Sequence, residues 1–573
     1  MNALGEPSGD AAGPVATPPA ESDRRIARLG EGARDLVRTP AYEKARLLGD
    51  VMQRLYELAG RLSEAGCRAK GIAPGDELTG EEVLAGPVAT LYYVRVLRRS
   101  LLEIADHGLP TIPDSAVREH PLGSAVTALP ISPLDKVRFA GISAEAWLEV
   151  APSELGEARA SWYRDGKKDE AVGLVLGAGN IAAIPPEDAL HQIFVEGRTC
   201  LLKMSPVNEY LGQLYEIVFA PLVKRGWLAF AYGGPDVGAY CTQHPGIAAV
   251  HVTGSGLTHD RIVWGDEPEQ SARKQRNDPL LKKQITSELG NITPVIVPPG
   301  EYSQRELEHV ARSVAGMVAH NASFNCLSAK MLILPDTPFG RGVLERVVSV
   351  LEATPTRKAY YPGAKARYDS LVHSAGQLRE LGRSDGGHLP WAVISELDAQ
   401  SDTPLFRKEP FCSMLSVVRL PESDPVAYLA AATRFANDKL WGTLSAVVIA
   451  PKSLLADSAT QAAVDQAIAE LDYGVVSLNA WSGLAFGIGE LPWGAAPGAT
   501  LADARSGIGW AHNALMLERV RKCVTRAPLA AFPTPFWYPG HRSLRKFARA
   551  FLDYELAPNA LKLAKLASAA VPG

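Results

Sequence analysis

Between Ala171 and Ser255 the chain alternates short apolar runs with amphipathic stretches: AVGLVLGAGN, EDALHQIFVEG, TCLLKMSP, YLGQLYEIVFAPLVKRG, LAFAYGG and GIAAVHVTGS. Brief runs of β-branched and aliphatic residues separated by helical segments predict βαβ units and a parallel sheet covered on both faces. After Leu281 a second series of strands is expected in PVIVPP, AKMLILP, SMLSVVRLP and LSAVVIAP. Ahead of both, the stretch from Glu21 to about Leu109 reads as helical. Leu47, Leu48, Met52, Leu55 and Leu58 share one face, and a second helix over ATLYYVRVLRRSLLEIADHG ends at Gly108 before Pro110. From Val117 to Ser161 the pattern changes to β-prone pieces broken by Pro and Gly, an extended ribbon. The charged stretch DEPEQSARKQRND, residues 266–278, predicts a solvated surface loop.

At 573 residues the chain exceeds what one hydrophobic core organises, so two or three domains are expected. Its 63 acidic and 59 basic side chains nearly cancel, which leaves no electrostatic footprint for nucleic acid. The six cysteines form no CxxC or CxxH pair, so neither a disulfide framework nor a metal site is indicated and a reducing, cytoplasmic setting is expected. Residues 1–22, rich in Ala, Pro and Gly, lack a basic start and an apolar run; they read as a disordered extension and not as a signal peptide. No apolar run approaches the length of a bilayer span.

Gly177, Gly179 and Ala182 in GLVLGAGNIA follow a predicted strand, as in a dinucleotide fold. The next strand, however, ends in Lys203, where the ordinary fingerprint has an acid on the ribose. Asn180, Lys203, VTGS at 252–255, SELG at 287–290, Cys326 in HNASFNCLSAK and KEPF at 408–411 occur in an order that resembles the aldehyde dehydrogenase superfamily, from about Arg24 to about Leu529. The interval of 23 residues from Asn180 to Lys203 is also similar to the family's.

The resemblance implies an α/β protein with two parallel-sheet domains and a small β oligomerisation ribbon. By number these are a Rossmann-like NAD(P)-binding domain over 23–130 and 166–287, a catalytic domain over 288–495, and the ribbon over 131–165 and 496–531. Tail helices over 532–573 complete the chain. It also implies a small-molecule aldehyde as substrate, NAD or NADP as cofactor, and a homodimer or homotetramer joined through the ribbon. Among individual residues it implies Cys326 as nucleophile, Glu288 as base and Asn180 as oxyanion donor, with Lys203, Gly254, Ser255, Glu409 and Phe411 around the cofactor.

The chemistry asks for the same set. Hydride can leave an aldehyde only after its carbon becomes a tetrahedral alkoxide, and a thiolate is the best protein nucleophile for that step. Cys326 falls on a turn between a helix and a strand, although a lone cysteine is ordinarily a small buried hydrophobe. An amide such as that of Asn180 can stabilise the alkoxide, and a carboxylate raised by partial burial, as expected for Glu288 beside an apolar strand, can activate water on the thioester.

The chain departs from the family's pattern at Asn291, where a second glycine is usual, and three positions after Lys203, where an acid is common; NAD and NADP both stay open. Two other readings stand beside oxidation to the acid. LGNITPVIV and NCLSAK resemble CoA-acylating members, against which Glu288 and WGTLSAVVI weigh. An inactive oligomeric scaffold would not need Cys326, Glu288 and Asn180 together. A serine hydrolase is a weaker reading still, because no GxSxG elbow occurs. The tail, with basic side chains and leucines at helical spacing, would pack on its own or a neighbouring subunit, lie peripherally on a membrane, or gate the substrate tunnel.

Overall fold

The computed structural model describes residues 14–165 and 168–571. Most of the extension expected over 1–22 lies outside them, but its end is ordered. Thr17 donates its N–H to Tyr232 O at 3.0 Å, and the helix Pro19–Arg38 has begun, with proline at its start and Glu21 in its first turn. The prolines that read as disorder are the residues a helix accepts in its first turn, where an N–H is not needed.

The parallel sheet forms as the alternation predicts. Its strand order is Gly507–Ile508, Gln284–Glu288, Ala249–Thr253, Val172–Leu176, Thr199–Lys203, Leu228–Ala231, parallel except for the short first strand. Leu176, Lys203, Thr253 and Glu288 therefore end at one side of the sheet, the side on which open α/β sheets form ligand crevices.

A second, larger sheet holds the strands expected after Leu281 and extends beyond them. From Val520–Arg526 it runs through Val475–Leu478, Ser445–Val448, Thr293–Ile296, Ala329–Pro335 and Met414–Leu420 to Trp391–Leu397, all parallel, and closes with Gln377–Leu381 antiparallel. On the other side of Val520–Arg526 come Ser143–Leu148, Gly123–Leu129 and Val117–His120, each antiparallel to its neighbour.

The ribbon strands, expected to join sheets between subunits, take a place in this sheet: Val520–Arg526 pairs with Val475–Leu478 of its own chain. The boundaries shift as well. Val117–Leu129 belongs with the larger sheet and not with the cofactor-side domain, and Trp510–His512 pairs with Pro492–Gly494. Stretch 266–278 is also not a loop: Glu269–Arg276 is a helix with no buried residue, closed by Asn277 in the left-handed region at φ 51°. EQSARKQR consists largely of good helix formers, and a polar helix that stays in solvent needs no core.

The helices Ala41–Lys70 and Ala89–His107 pack together against the cofactor-side sheet, ending in left-handed Gly71 and Gly108 as C-caps. Before the second of them, Leu84–Val88 forms a π-helical turn around Pro87, which has no N–H to continue a regular ladder. The tail forms two helices, Leu544–Leu556 and Ala560–Ala570. The first turns Leu544, Ala548 and Leu552 onto the protein. Among the described residues no helix is long and apolar enough to cross a membrane, and no cluster suits a metal ion.

Candidate active site

Cys326 stands on a turn between the helix Gln304–Ala319 and the strand Ala329–Pro335. The chain reaches it through three consecutive left-handed residues, Asn321 (φ 52°), Ala322 (φ 53°) and Ser323 (φ 71°). Non-glycine residues hold this conformation at a cost on the order of 1 kcal/mol each, so something must fix it. Asn321 does so. Its amide nitrogen donates to Asn180 O at 3.1 Å, Phe324 O at 3.0 Å and Asn325 Oδ1 at 3.1 Å, and its backbone N–H donates to Glu81 Oε1 at 2.9 Å. Tyr360 donates its hydroxyl to Asn180 O at 3.1 Å and Lys70 Nζ donates to the same carbonyl at 3.2 Å. The side chain of Asn180 in turn donates to Phe324 O at 3.0 Å, which ties it to the cysteine loop.

The Cys326 thiol donates to Glu288 Oε1 at 3.1 Å. Glu288 is buried, and that burial, reinforced by the negative charge of Asp188, raises its carboxyl to about 7 against the weaker pull of Cys326, Trp493 and His251. Burial and the facing Glu288 push the Cys326 thiol well above its ordinary value, and its own backbone N–H lies beside the sulfur. The resting pair is therefore a thiol hydrogen-bonded to a carboxyl poised to accept its proton. Cys412 is also fully buried, and burial raises its thiol to about 11, but no carboxylate accepts from it.

All eight residues expected from the sequence border one cleft of about 1300 Å³: Cys326, Glu288 and Asn180, together with Lys203, Gly254, Ser255, Glu409 and Phe411. Ser255 caps the helix Gly256–Trp264, accepting from Thr258 N at 3.2 Å, so that helix begins at the cleft. The Glu409 carboxylate accepts from Asn291 N at 3.1 Å, and burial raises its pKa above the usual carboxylate range. A Cβ at Gly290 would stand 1.9 Å from Glu409 Oε2, which explains the glycine in SELG. Asn291 has structural work of its own, donating to Ser445 O at 2.8 Å and Thr293 Oγ1 at 3.0 Å. Phe411 sits at φ 41° with its ring 4.9 Å from that of Tyr361.

On the other side of Cys326 lies an apolar cavity of about 130 Å³. Leu84 and Val88 of the π-helical turn, Trp481 and Phe486, and Phe536 and Phe551 of the tail form much of its wall. Asn180, Ile184 and Cys326 border both spaces. Sequence reasoning missed Asn321, Tyr360 and Lys70, and it could not assemble this wall from segments so far apart. One clue was present: HNASFN is a polar run following an apolar helix, where a buried loop needs side chains to satisfy its backbone.

No protein-family model matches the chain. Solved structures do. An NADP-dependent glyceraldehyde-3-phosphate dehydrogenase from Bacillus halodurans C-125 is 16% identical, with 89% of this chain and 91% of that one covered at a TM-score of 0.59. A variant of aldehyde dehydrogenase C from Pseudomonas syringae, solved with NAD+ and octanal, is 17% identical, with 90% of each chain covered at 0.58. A 1-pyrroline-5-carboxylate dehydrogenase from Thermus with bound NAD is 18% identical, with 89% and 86% covered at 0.60. At such identities the likeness speaks for architecture, and the chain has the aldehyde dehydrogenase fold.

Proposed function

We propose that the chain oxidises an apolar aldehyde to its carboxylic acid with NAD or NADP. One observation carries the reading: Cys326 and Glu288 pair at 3.1 Å where a large cleft meets a small apolar cavity. The cleft suits a dinucleotide in size and in donors. Lys203 would hold ribose hydroxyls, the start of the helix Gly256–Trp264 would hold phosphates, and Glu409 and Phe411 would flank the nicotinamide end. When bound, the nicotinamide supplies the hydride acceptor. The three solved neighbours described above carry NADP, NAD+ with octanal, and NAD.

The residues then divide the work. Glu288 takes the proton of Cys326, and the thiolate forms a C–S bond to the aldehyde carbon. The resulting oxyanion meets the Asn180 amide and the Cys326 backbone N–H; loss of one such donor costs about 3 kcal/mol of transition-state stabilisation. Once hydride has left, the acyl group remains on Cys326 as a thioester. Water, deprotonated by Glu288, adds to it, the C–S bond breaks and the acid departs. An apolar cavity of about 130 Å³ suits an aryl or short alkyl group, close to the size of engineered cavities that hold benzene.

Rapid mixing of enzyme, aldehyde and NAD(P) tests this. Cys326→Ala should abolish NAD(P)H formation while the dinucleotide still binds. Glu288→Gln should slow both the burst and steady turnover by roughly a hundredfold or more, because the same carboxylate serves both steps. A full burst in Glu288→Gln would confine the residue to hydrolysis, and steady turnover restored only by CoA would replace water with CoA as the acceptor. Normal turnover by Cys326→Ala would overturn the reading.

A further inference from the structure

An oxyanion hole needs two donors held at fixed places, and here they come from different parts of the fold. The Cys326 N–H belongs to the loop before the strand Ala329–Pro335, whereas the Asn180 amide belongs to the turn after the strand Val172–Leu176. That turn has no regular structure between Leu176 and the helix Ile184–Phe194, yet Ala178, Asn180 and Ala183 in it are buried. Buried carbonyls must find donors. Other segments supply them. Asn208 Nδ2 donates to Ala178 O at 2.8 Å, the Tyr215 hydroxyl donates to Ala182 O at 2.6 Å, and Ala183 N–H donates to Ala85 O at 3.2 Å.

The carbonyl of Asn180 receives more than its neighbours do. Lys70 Nζ lies 3.2 Å from it, and Asn321 Nδ2 and the Tyr360 hydroxyl each lie 3.1 Å away. A carbonyl oxygen has two lone pairs, so three donors, one of them cationic, over-determine its place. They arrive from the end of the helix Ala41–Lys70, from the loop ahead of Cys326, and from the segment after the helix Pro338–Ala353. Tyr360 braces both halves of the hole, because its hydroxyl also lies 3.0 Å from Asn321 Oδ1. The Asn180 side chain gives one N–H to Phe324 O at 3.0 Å, and an amide has two, which leaves the second for a reacting oxygen.

Lys70 is not where packing alone would put a lysine. It is buried, and so is Glu82, whose Oε1 accepts from Lys70 Nζ at 2.8 Å. Gly66, one turn before Lys70 on the same helix, makes room for that carboxylate: a Cβ there would stand 2.6 Å from Glu82 Oε2. A buried ion pair seldom stabilises a fold more than apolar side chains of the same size would, so stability does not account for this one. The Lys70 ammonium also lies 5.3 Å from the centre of the Tyr360 ring. Burial pushes the Tyr360 phenol well above its ordinary value, so the hydroxyl stays a donor at any working pH.

We propose that Lys70, held by Glu82, and Tyr360 are positioning residues of the oxyanion hole, fixing the Asn180 amide against the Cys326 N–H through the Asn180 carbonyl. Neither Lys70 nor Tyr360 borders the cleft or the apolar cavity, so both act through Asn180. The inference rests on the reading of Asn180 as an oxyanion donor.

The test uses Tyr360→Phe and the paired variant Lys70→Met/Glu82→Leu in the full-length chain, each alone and combined with Asn180→Ala. The first turnover of NAD(P)H formation is followed at saturating aldehyde and dinucleotide, beside the dinucleotide Kd and the urea midpoint. Asn180→Ala should slow that turnover by roughly 10²–10³-fold. Each positioning variant should slow it by on the order of tenfold with the dinucleotide Kd unchanged, since the donor is displaced and not removed. The paired variant should keep or raise the urea midpoint, because apolar contacts replace buried charges. In the Asn180→Ala background neither positioning variant should lose much more, since the amide they place is gone. A wild-type first turnover in both, or losses that multiply in full with that of Asn180→Ala, would overturn the positioning role alone. An Asn180→Ala enzyme with a wild-type first turnover would instead overturn the reading on which the role rests.

Discussion

Glu288 is asked to be a base near neutral pH, and the same burial that makes it one works against the fold. Its carboxyl rises from 4.5 in an unfolded chain to about 7 in the native site, with burial as the main cause and Asp188 adding to it. A raised carboxyl stabilises the native state fully below the unfolded value, and that contribution is lost as pH rises from 4.5 through about 7. The difference is about 3 kcal/mol. Glu288→Gln should therefore resist urea better than wild type at pH 8, with the advantage shrinking on acidification toward pH 4.5. A wild-type midpoint at or above the variant's at pH 8 would show that the carboxylate has partners enough to offset its burial. The activity moves in the opposite sense, since only the ionised form accepts a proton, and turnover should fall as pH drops below about 7.

The elements around the site differ in how far the sequence announces them. Strand periodicity and the order Asn180, Lys203, SELG, Cys326, KEPF are local properties, so the cofactor-side sheet and the residues at its edge were legible. The apolar wall was not, because Leu84, Trp481, and Phe536 with Phe551 of the tail reach one cavity from three distant segments. Nor was the docking of the tail, which rests on ion pairs no spacing reveals. Glu555 is fully buried between Arg138 at 2.5 Å and Arg95 at 2.8 Å, with the Arg138 guanidinium 4.6 Å from the Phe551 ring. Arg138 lies in the ribbon and Phe551 in the tail, so these two segments meet at the apolar cavity. Phe551→Ala should remove part of that wall and raise the kcat/KM ratio of octanal to butanal by roughly tenfold, the usual discrimination of an apolar pocket at its lower end. An unchanged ratio across a series of aldehydes would detach the tail from specificity.

At the scale of the whole molecule, the larger sheet closes on its own chain, and this decides how copies of the protein should behave. A ribbon waiting for a partner leaves strand edges open, which was the reason to expect a dimer. Here Val475, Val476, Ser477 and Leu478 already pair with Cys523, Val524, Thr525 and Arg526, and Ser143–Leu148 covers the next edge. Lys522 strengthens the closure: its buried ammonium donates to the carbonyls of Ile468 at 2.8 Å, Ala469 at 2.7 Å and Leu471 at 2.6 Å. To exchange the ribbon between subunits, those bonds and the Arg138–Glu555 contact would first have to break, only to be rebuilt identically in a partner. That exchange gains no new contact and loses the freedom of a second chain. The two outer strands, Val117–His120 and Gln377–Leu381, carry Arg118, Glu119, Arg379 and Glu380, charges that oppose further edge pairing. Any dimer that light scattering detects at micromolar concentration should therefore be indifferent to Lys522→Met, its contact lying on another face of the molecule. A stable dimer that Lys522→Met weakens would mean that the ribbon is exchanged after all, whereas a dimer indifferent to that substitution would place the contact on another face of the molecule.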